Sequence, residues 1–225
     1  MKKMKNIIMI LFASILVFSG CKKQESTTMV VKVPKFELIG PTAFSTPAGP
    51  GSYVDPGVTY TDEEGNVSVL TQPTSSDVNL AAPGFYSCTY EKKTEHGYKL
   101  KASRLVLVTP VSPLVDHGGI YSRSSAAGTQ TVTITKIGTG LYTTDNVGGV
   151  YDNDDYEFEV FFGLVNDSTI VIPSQPNVYG GGYLYGVDGK LKVNGATTTI
   201  QYKIFGDSDI GTATGFGTGL RTFIK

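Results

Sequence analysis

Hydrophobic and polar residues alternate along most of the chain, in short runs separated by Gly, Pro, Asn and Asp. Such alternation turns one face of a strand towards a core and the other towards solvent, as in antiparallel sheets. Neither half of the chain shows a convincing helical periodicity. The clearest alternating runs are 104–108, 131–137, 157–162, 168–172 and 199–205. The pattern therefore predicts an all-β protein.

A proline-flanked segment at 109–113 divides the chain. Most prolines lie before it, whereas 19 of the 27 glycines lie in 113–225. Proline restricts both itself and the preceding residue to extended backbone, so this segment is typical of a stiff connector. We therefore predict two β domains, at 33–110 and 111–225.

The first 32 residues predict export and a lipid anchor. Three lysines precede a twelve-residue apolar run at 7–18, which is shorter than the roughly 20 residues that span a bilayer. Small residues then lead to Cys21. This order resembles the signal of bacterial lipoproteins, although Phe18 stands where that signal usually has Leu. The resemblance implies a signal peptide at 1–20, acyl chains such as palmitate on Cys21, and a tether at 21–32.

The first domain contains the segments 57–65 (GVTYTDEEG), 82–90 (APGFYSCTY) and 104–108 (RLVLV). Tyr86 lies two residues before Cys88, which is the arrangement of a tyrosine corner in an immunoglobulin-type strand. Cys88 has no second Cys to pair with once Cys21 carries lipid, and we expect it to be a small core residue. The block resembles the Ig-like domains of Bacteroidetes-type surface lipoproteins. That resemblance implies a sandwich that serves as a spacer or binding module.

The second domain contains about eight candidate strands, which suits a small closed antiparallel barrel. They include 180–187, and 190–194 grouped with 197–205. Tyr121 near the start and Arg221 in the last strand resemble the lipocalin pattern, in which an Arg from the last strand covers an aromatic residue of the first. The resemblance implies a lipocalin-like barrel of unknown function in which Arg221 stacks on Tyr121. A second β-sandwich is the structural alternative.

Net charge and residue types exclude several classes of function. The formal net charge is −1, and no Lys/Arg-rich run lies beyond residue 35, so the chain lacks the basic face of a nucleic-acid binder. The two histidines, His96 and His117, show no pairing with a nucleophile, and a zinc site would lack donors. We therefore expect no nucleic-acid partner, no cofactor and no enzymatic activity.

Two groups of side chains in the second domain are candidates for binding. An acidic stretch near Asp145 offers oxygen ligands for calcium, with a solvated loop as the alternative. Tyrosines crowd the Gly-rich segments, where their faces would stack on sugars; half-buried packing is the alternative, and the absence of Trp counts against a sugar site. The calcium candidates are Asp152, Asp154 and Asp155, and the glycan candidates are Tyr142, Tyr151, Tyr156, Tyr179, Tyr183 and Tyr185.

These observations together predict a non-catalytic surface lipoprotein of the outer membrane, held in the membrane by its N-terminal lipid. Its family resemblance implies an accessory role in binding polysaccharide, or a partner in an outer-membrane transporter complex. A structural or adhesive envelope protein is one alternative. A small glycoside hydrolase is another, with Asp154, Asp155, Glu157 and Glu159 as its candidate carboxylates.

Overall fold

The computed structural model describes residues 32–126, 128–149, 159–178, 181–207 and 219–225. Val33–Lys225 form one compact unit. Every regular element in the described ranges is a β-strand, which confirms the all-β prediction. Within these same ranges, no helix long and apolar enough to cross a membrane is found.

The first module is an Ig-like sandwich of two sheets, as expected. One sheet has the strand order β1-β3-β4 and the other β2-β7-β6-β5, in which β2 runs parallel to β7 and the remaining pairs are antiparallel. Val58, Cys88, Tyr90 and Val106 form the buried centre between the sheets. The strands are β1 (Lys35–Leu38), β2 (Ala43–Pro47), β3 (Val58–Thr61), β4 (Val67–Leu70), β5 (Ser75–Ser76), β6 (Gly84–Lys93) and β7 (Lys99–Thr109).

Tyr86 and Cys88 occupy the places that the tyrosine-corner pattern predicted. The Tyr86 hydroxyl donates a 2.7 Å hydrogen bond to the carbonyl of Ala82, four residues upstream. Cys88 is buried and its Sγ lies 3.2 Å from Ser76 Oγ. Burial raises the pKa of the Cys88 thiol, so this group stays protonated and packs as a core residue.

A buried ion pair crosses the sandwich, and the sequence pattern did not reveal it. Arg104 Nε donates to Asp55 Oδ2 at 2.8 Å, with 0% and 1% of the two side chains exposed. The same carboxylate accepts hydrogen bonds from the hydroxyls of Tyr53 and Tyr90 and from the N–H of Gly57. The rest of the guanidinium donates to two backbone carbonyls, those of Ile39 and Pro41. This network joins the loops at 39–41 and 53–57 to the centre of the second sheet.

The second module is a nine-stranded antiparallel sheet that curls into a barrel. Its strand order is β12-β11-β10-β9-β8-β16-β15-β14-β13, so that strands adjacent in sequence are mostly adjacent in space. The strands are β8 (Gly119–Ser125), β9 (Gly128–Gly138), β10 (Leu141–Thr144), β11 (Val160–Leu164), β12 (Ile170–Val171), β13 (Gln175–Pro176), β14 (Tyr183–Asn194), β15 (Thr197–Asp207) and β16 (Arg221–Ile224).

The two ends of this sheet meet along the segment 168–176. On one side β12 pairs with β11, and on the other the same segment runs antiparallel to β14. The N–H of Leu191 donates to the carbonyl of Ser168, and that of Gly186 to the carbonyl of Ile172. The contact closes the curled sheet, which removes the exposed edges that an open sheet would leave.

One long strand, β14, replaces two that the sequence suggested. The candidates 180–187 and 190–194 are a single strand interrupted by a bulge between Val187 and Lys190. Asp188 in the bulge has a φ of 57°, a conformation that Asp adopts more readily than most residues. The grouping of 190–194 with 197–205 was therefore wrong in detail, because 197–205 belongs to the next strand of a hairpin.

The cation that lies over the ring of Tyr121, in the first strand of the barrel, is Lys225 and not Arg221. Lys225 Nζ lies 5.3 Å from the centroid of the Tyr121 ring and donates to the carbonyl of Gly118. Arg221 is buried and donates instead to the carbonyls of Gly148 and Gly219. Tyr121 and Arg221 are thus both buried parts of the barrel, as expected, but the stacked pair that the lipocalin pattern implied is formed with a different cation.

The two modules share a small apolar cluster. Leu107 of β7 lies against Leu141 of β10, and the partly buried rings of Phe85 and Phe161 pack on them. Thr109 Oγ1 donates a buried 2.6 Å hydrogen bond to the carbonyl of Leu164. At Gly163 an added Cβ would lie 2.6 Å from a methyl carbon of Leu107, so the strands approach here too closely for a side chain. The connector at 109–113 therefore joins two modules that pack against each other.

Candidate functional site

The interior of the barrel is filled with side chains. The space lined by Ile134, Tyr142, Phe162, Leu191 and their neighbours has no room for a water molecule. Buried residues from every long strand of the barrel contribute to this core. A ligand of the size that lipocalin barrels enclose therefore has no place within the part of the interior that the structure describes.

Tyr142 belongs to this interior, so its assignment to a glycan site was wrong. Only 1% of the residue is exposed, and its ring stacks on Phe162 with centroids 5.4 Å apart. Its hydroxyl accepts a hydrogen bond from the N–H of His117. A ring that is covered on its faces and bonded at its hydroxyl cannot stack on a sugar.

Tyr183 and Tyr185 lie on the outer face of β14 and remain candidates. They are 56% and 40% exposed, while Leu184 between them points into the core. Tyr185 is paired in register with Phe205 of β15, and the two rings stack with centroids 5.7 Å apart. Phe205 was missed from the sequence, although the alternation of 199–205 places it on the outer face. We call the three rings Tyr183, Tyr185 and Phe205 the aromatic row.

A polar groove continues the aromatic row along the same two strands. It has a volume of about 310 Å³ and is lined by Asp188, Lys190, Gln201, Lys203 and Leu220. We call it the outer groove. The Asp188 carboxylate lies 2.7 Å from Lys203 Nζ, and the hydrogen bond and charge of Lys203 hold the pKa of Asp188 below its usual value. Among the lining residues that the structure describes, Asp188 supplies one carboxylate, with a lysine beside it, whereas glycoside hydrolysis needs two carboxylates.

A second groove lies at one end of the first module. Its volume is about 590 Å³, and it is lined by the loop 49–53 and the segment 76–81. Its lining consists of small residues together with Pro50, Val78, Asn79 and Leu80, and the hydroxyl of its one aromatic residue, Tyr53, donates to Asp55. This groove therefore offers fewer groups for recognition than the outer wall of the barrel.

Several predicted site residues fall outside the described ranges. Cys21 stays a prediction for lipid attachment, the three tyrosines named below for glycan binding, and the three aspartates named below for calcium binding. In the parts of the chain that the structure describes, no three His, Cys, Asp or Glu side chains come together as a possible metal site. The residues outside are Cys21; Tyr151, Tyr156 and Tyr179; and Asp152, Asp154 and Asp155.

Residues 36–108 match a family model described as "Bacterial surface protein, Ig-like domain". The match confirms the Ig-like resemblance of the first module, for which the sequence suggested the limits 33–110. It also indicates a location in the cell envelope or at the cell surface.

Two solved structures are similar to the chain at low identity. A lipoprotein from Bacteroides thetaiotaomicron is 21% identical, with a TM-score of 0.37; the alignment covers 85% of this chain and 98% of that one. A structure of CBM51-2 in complex with GlcNAc and INT domains from Clostridium perfringens ZmpB is 14% identical, with a TM-score of 0.27, covering 85% and 41%. Both TM-scores lie below 0.5, so neither likeness extends to a function. No curated protein matches the chain.

Proposed function

We propose that this protein is a non-catalytic surface lipoprotein that binds polysaccharide on the outer wall of its barrel. The observation that carries the proposal is the aromatic row, in which two exposed tyrosines and Phe205 lie on adjacent strands. In this proposal Cys21 carries the lipid that holds the protein at the outer membrane. The bound polysaccharide would then be passed to a transporter complex in the same membrane.

The aromatic row has the dimensions and chemistry of a sugar platform. Side chains two residues apart on one strand face are separated by about 7 Å, so the row presents Tyr183 and then the stacked pair of Tyr185 and Phe205 to an extended chain. Aromatic rings offer large, rigid apolar faces, and the tyrosine hydroxyls add hydrogen bonds at the edge. Because the barrel wall is built from paired strands, these rings are held in fixed positions before a ligand arrives.

Affinity electrophoresis tests the proposal directly. The purified protein is run through native gels that contain a panel of dissolved polysaccharides, beside the double variant Tyr183→Ala, Tyr185→Ala. The matched control is Tyr98→Ala, which removes a similarly exposed tyrosine from the first module and leaves the charge unchanged. We expect at least one polysaccharide to retard the protein and the control, and to retard the double variant at least tenfold more weakly.

Two results would contradict this function. Retardation that survives in the double variant would place the site elsewhere on the molecule. Retardation by none of the polysaccharides would favour a structural or adhesive role, for which the filled barrel and the apolar cluster shared by the two modules provide the supporting observations. Pull-down of envelope proteins from detergent-solubilised membranes would then identify the partner.

A further inference from the structure

We infer that the polysaccharide bound by the aromatic row is acidic, and that Lys190 and Lys203 of the outer groove bind its carboxylates. This inference rests on the proposed function and specifies the class of ligand. It concerns residues that the sequence alone did not mark as candidates for a site.

The charge of the barrel wall is the first observation. Residues 113–225 contain eleven acidic and seven basic residues, so the second module as a whole is acidic. Three of those seven bases, Lys190, Lys192 and Lys203, are nevertheless on the outer face of β14 and β15. The same two strands contain two acids, Asp188 and Asp207, so three lysines against two acids leave them a formal net charge of +1. The wall therefore has a local positive charge within an acidic module, which attracts anionic ligands.

The placement of the two lysines is the second observation. The register pairs Tyr185 with Phe205 and Val187 with Lys203, so the ammonium group lies on the same strand face as the rings, one pair further along. Beyond the bulge, Lys190 is paired with Gln201. A sugar that stacks on the aromatic row is thus about 7 Å from Lys203, the distance between adjacent positions on one face.

The ion pair with Asp188 prepares Lys203 for this role. A lysine ammonium group has three N–H donors, and the contact with the carboxylate at 2.7 Å engages one of them. Lys203 is therefore held in place while two donors stay available for a ligand carboxylate. Gln201 adds a neutral side chain that can donate to or accept from sugar hydroxyls in the same groove.

The test compares each acidic polysaccharide with its own neutral derivative. Native gels contain polygalacturonate, alginate or hyaluronate, or the same polymers after chemical reduction of their carboxyl groups to alcohols. The protein is run beside the double variant Lys190→Gln, Lys203→Gln. The matched control is a double variant of two exposed lysines of the first module, Lys35→Gln, Lys99→Gln. It removes the same two positive charges, so we expect it to migrate like the Lys190/Lys203 variant in an empty gel.

We expect retardation by at least one acidic polymer, and at least tenfold weaker retardation by its reduced form. The Lys190/Lys203 variant should lose this retardation, whereas the control should keep it. Equal retardation by a polymer and its reduced form, or retardation that survives in the Lys190/Lys203 variant, overturns the inference and leaves polysaccharide binding intact. Retardation by neither the acidic nor the neutral polymers overturns both proposals.

Discussion

Replacing Asp55 by Asn should destabilise the first module more than any single change on its surface. The carboxylate of Asp55 has two oxygens, and donors approach both of them. Oδ1 accepts from the N–H of Gly57 and the Tyr90 hydroxyl, and Oδ2 from the Tyr53 hydroxyl and Arg104. An amide keeps one oxygen but turns an NH₂ group towards the other pair of donors. At the same time the buried Arg104 loses its counter-charge.

The magnitude follows from the burial of the pair. Removing one partner of a buried ion pair typically costs about 3–5 kcal/mol, because the other charge stays in a medium that solvates it poorly. A buried donor left without an acceptor costs about 1–3 kcal/mol on its own. This cost is part of the total for the buried ion pair, so the hydrogen bonds to Asp55 are consistent with the larger range of about 3–5 kcal/mol. We therefore expect Asp55→Asn to lower the free energy of unfolding by about 3–5 kcal/mol.

Urea denaturation followed by tyrosine fluorescence and circular dichroism measures this loss, since the chain has 13 tyrosines and no tryptophan. The control is Glu91→Gln, which removes an acid from the exposed ion pair between Glu91 and Lys101 and should cost less than about 1 kcal/mol. The double variant Asp55→Asn, Arg104→Met should cost less than the sum of its single variants. An Asp55→Asn midpoint equal to that of the Glu91 control would refute the reasoning.

Two further predictions concern pH and backbone geometry. Burial by itself raises the pKa of Asp55, but the hydrogen bonds it accepts and the charge of Arg104 hold that pKa below its ordinary value. The contribution of Asp55 to stability is therefore complete above the unfolded-state pKa of about 4 and is lost as the pH falls below it. Urea denaturation at several pH values should show that, on acidification, the free energy of unfolding falls less for Asp55→Asn than for the unchanged protein. Gly57→Ala should lower the free energy of unfolding, measured by urea denaturation, by more than about 1 kcal/mol, because the φ of 95° and the nearby carbonyl of Leu70 both oppose a Cβ. The control is Gly40→Ala, which should cost less because Gly40 has a similar φ of 83° but open space around it.

The strands of the fold were predictable because their alternation reflects a single covered face. Tyr86 and Cys88 show this well, since local spacing was enough to place both. The alternation fails at β10, where all four residues are buried. Leu141 packs against the first module, whereas Tyr142 points into the barrel. A strand that is covered on both faces cannot be recognised from its own pattern, and for this reason Tyr142 was mistaken for a surface residue.

Contacts between distant parts of the chain account for what the sequence did not show. Asp55 and Arg104 are 49 residues apart, and nothing local links them. One signal was present in the sequence. Arg104 has the same alternation phase as Val106 and Val108, which predicts a buried position for a charged side chain. A buried charge needs a partner of opposite charge. Phe205 and Lys203 likewise became candidates only when the register of β14 and β15 placed them beside Tyr185 and Val187.

The closure of the barrel determines which of its walls can bind a ligand. Around the ring of strands, β10 lies four places from β15, whereas β11 and β14 are separated only by the closing segment 168–176. The outer face of β10 and β11 is covered by the first module, through Leu141 and Phe161. The aromatic row and the outer groove lie on β14 and β15, neither of which contributes a residue to this contact. Since the interior is filled, substitutions inside the barrel should change stability, whereas substitutions on this wall should change binding and leave the fold intact.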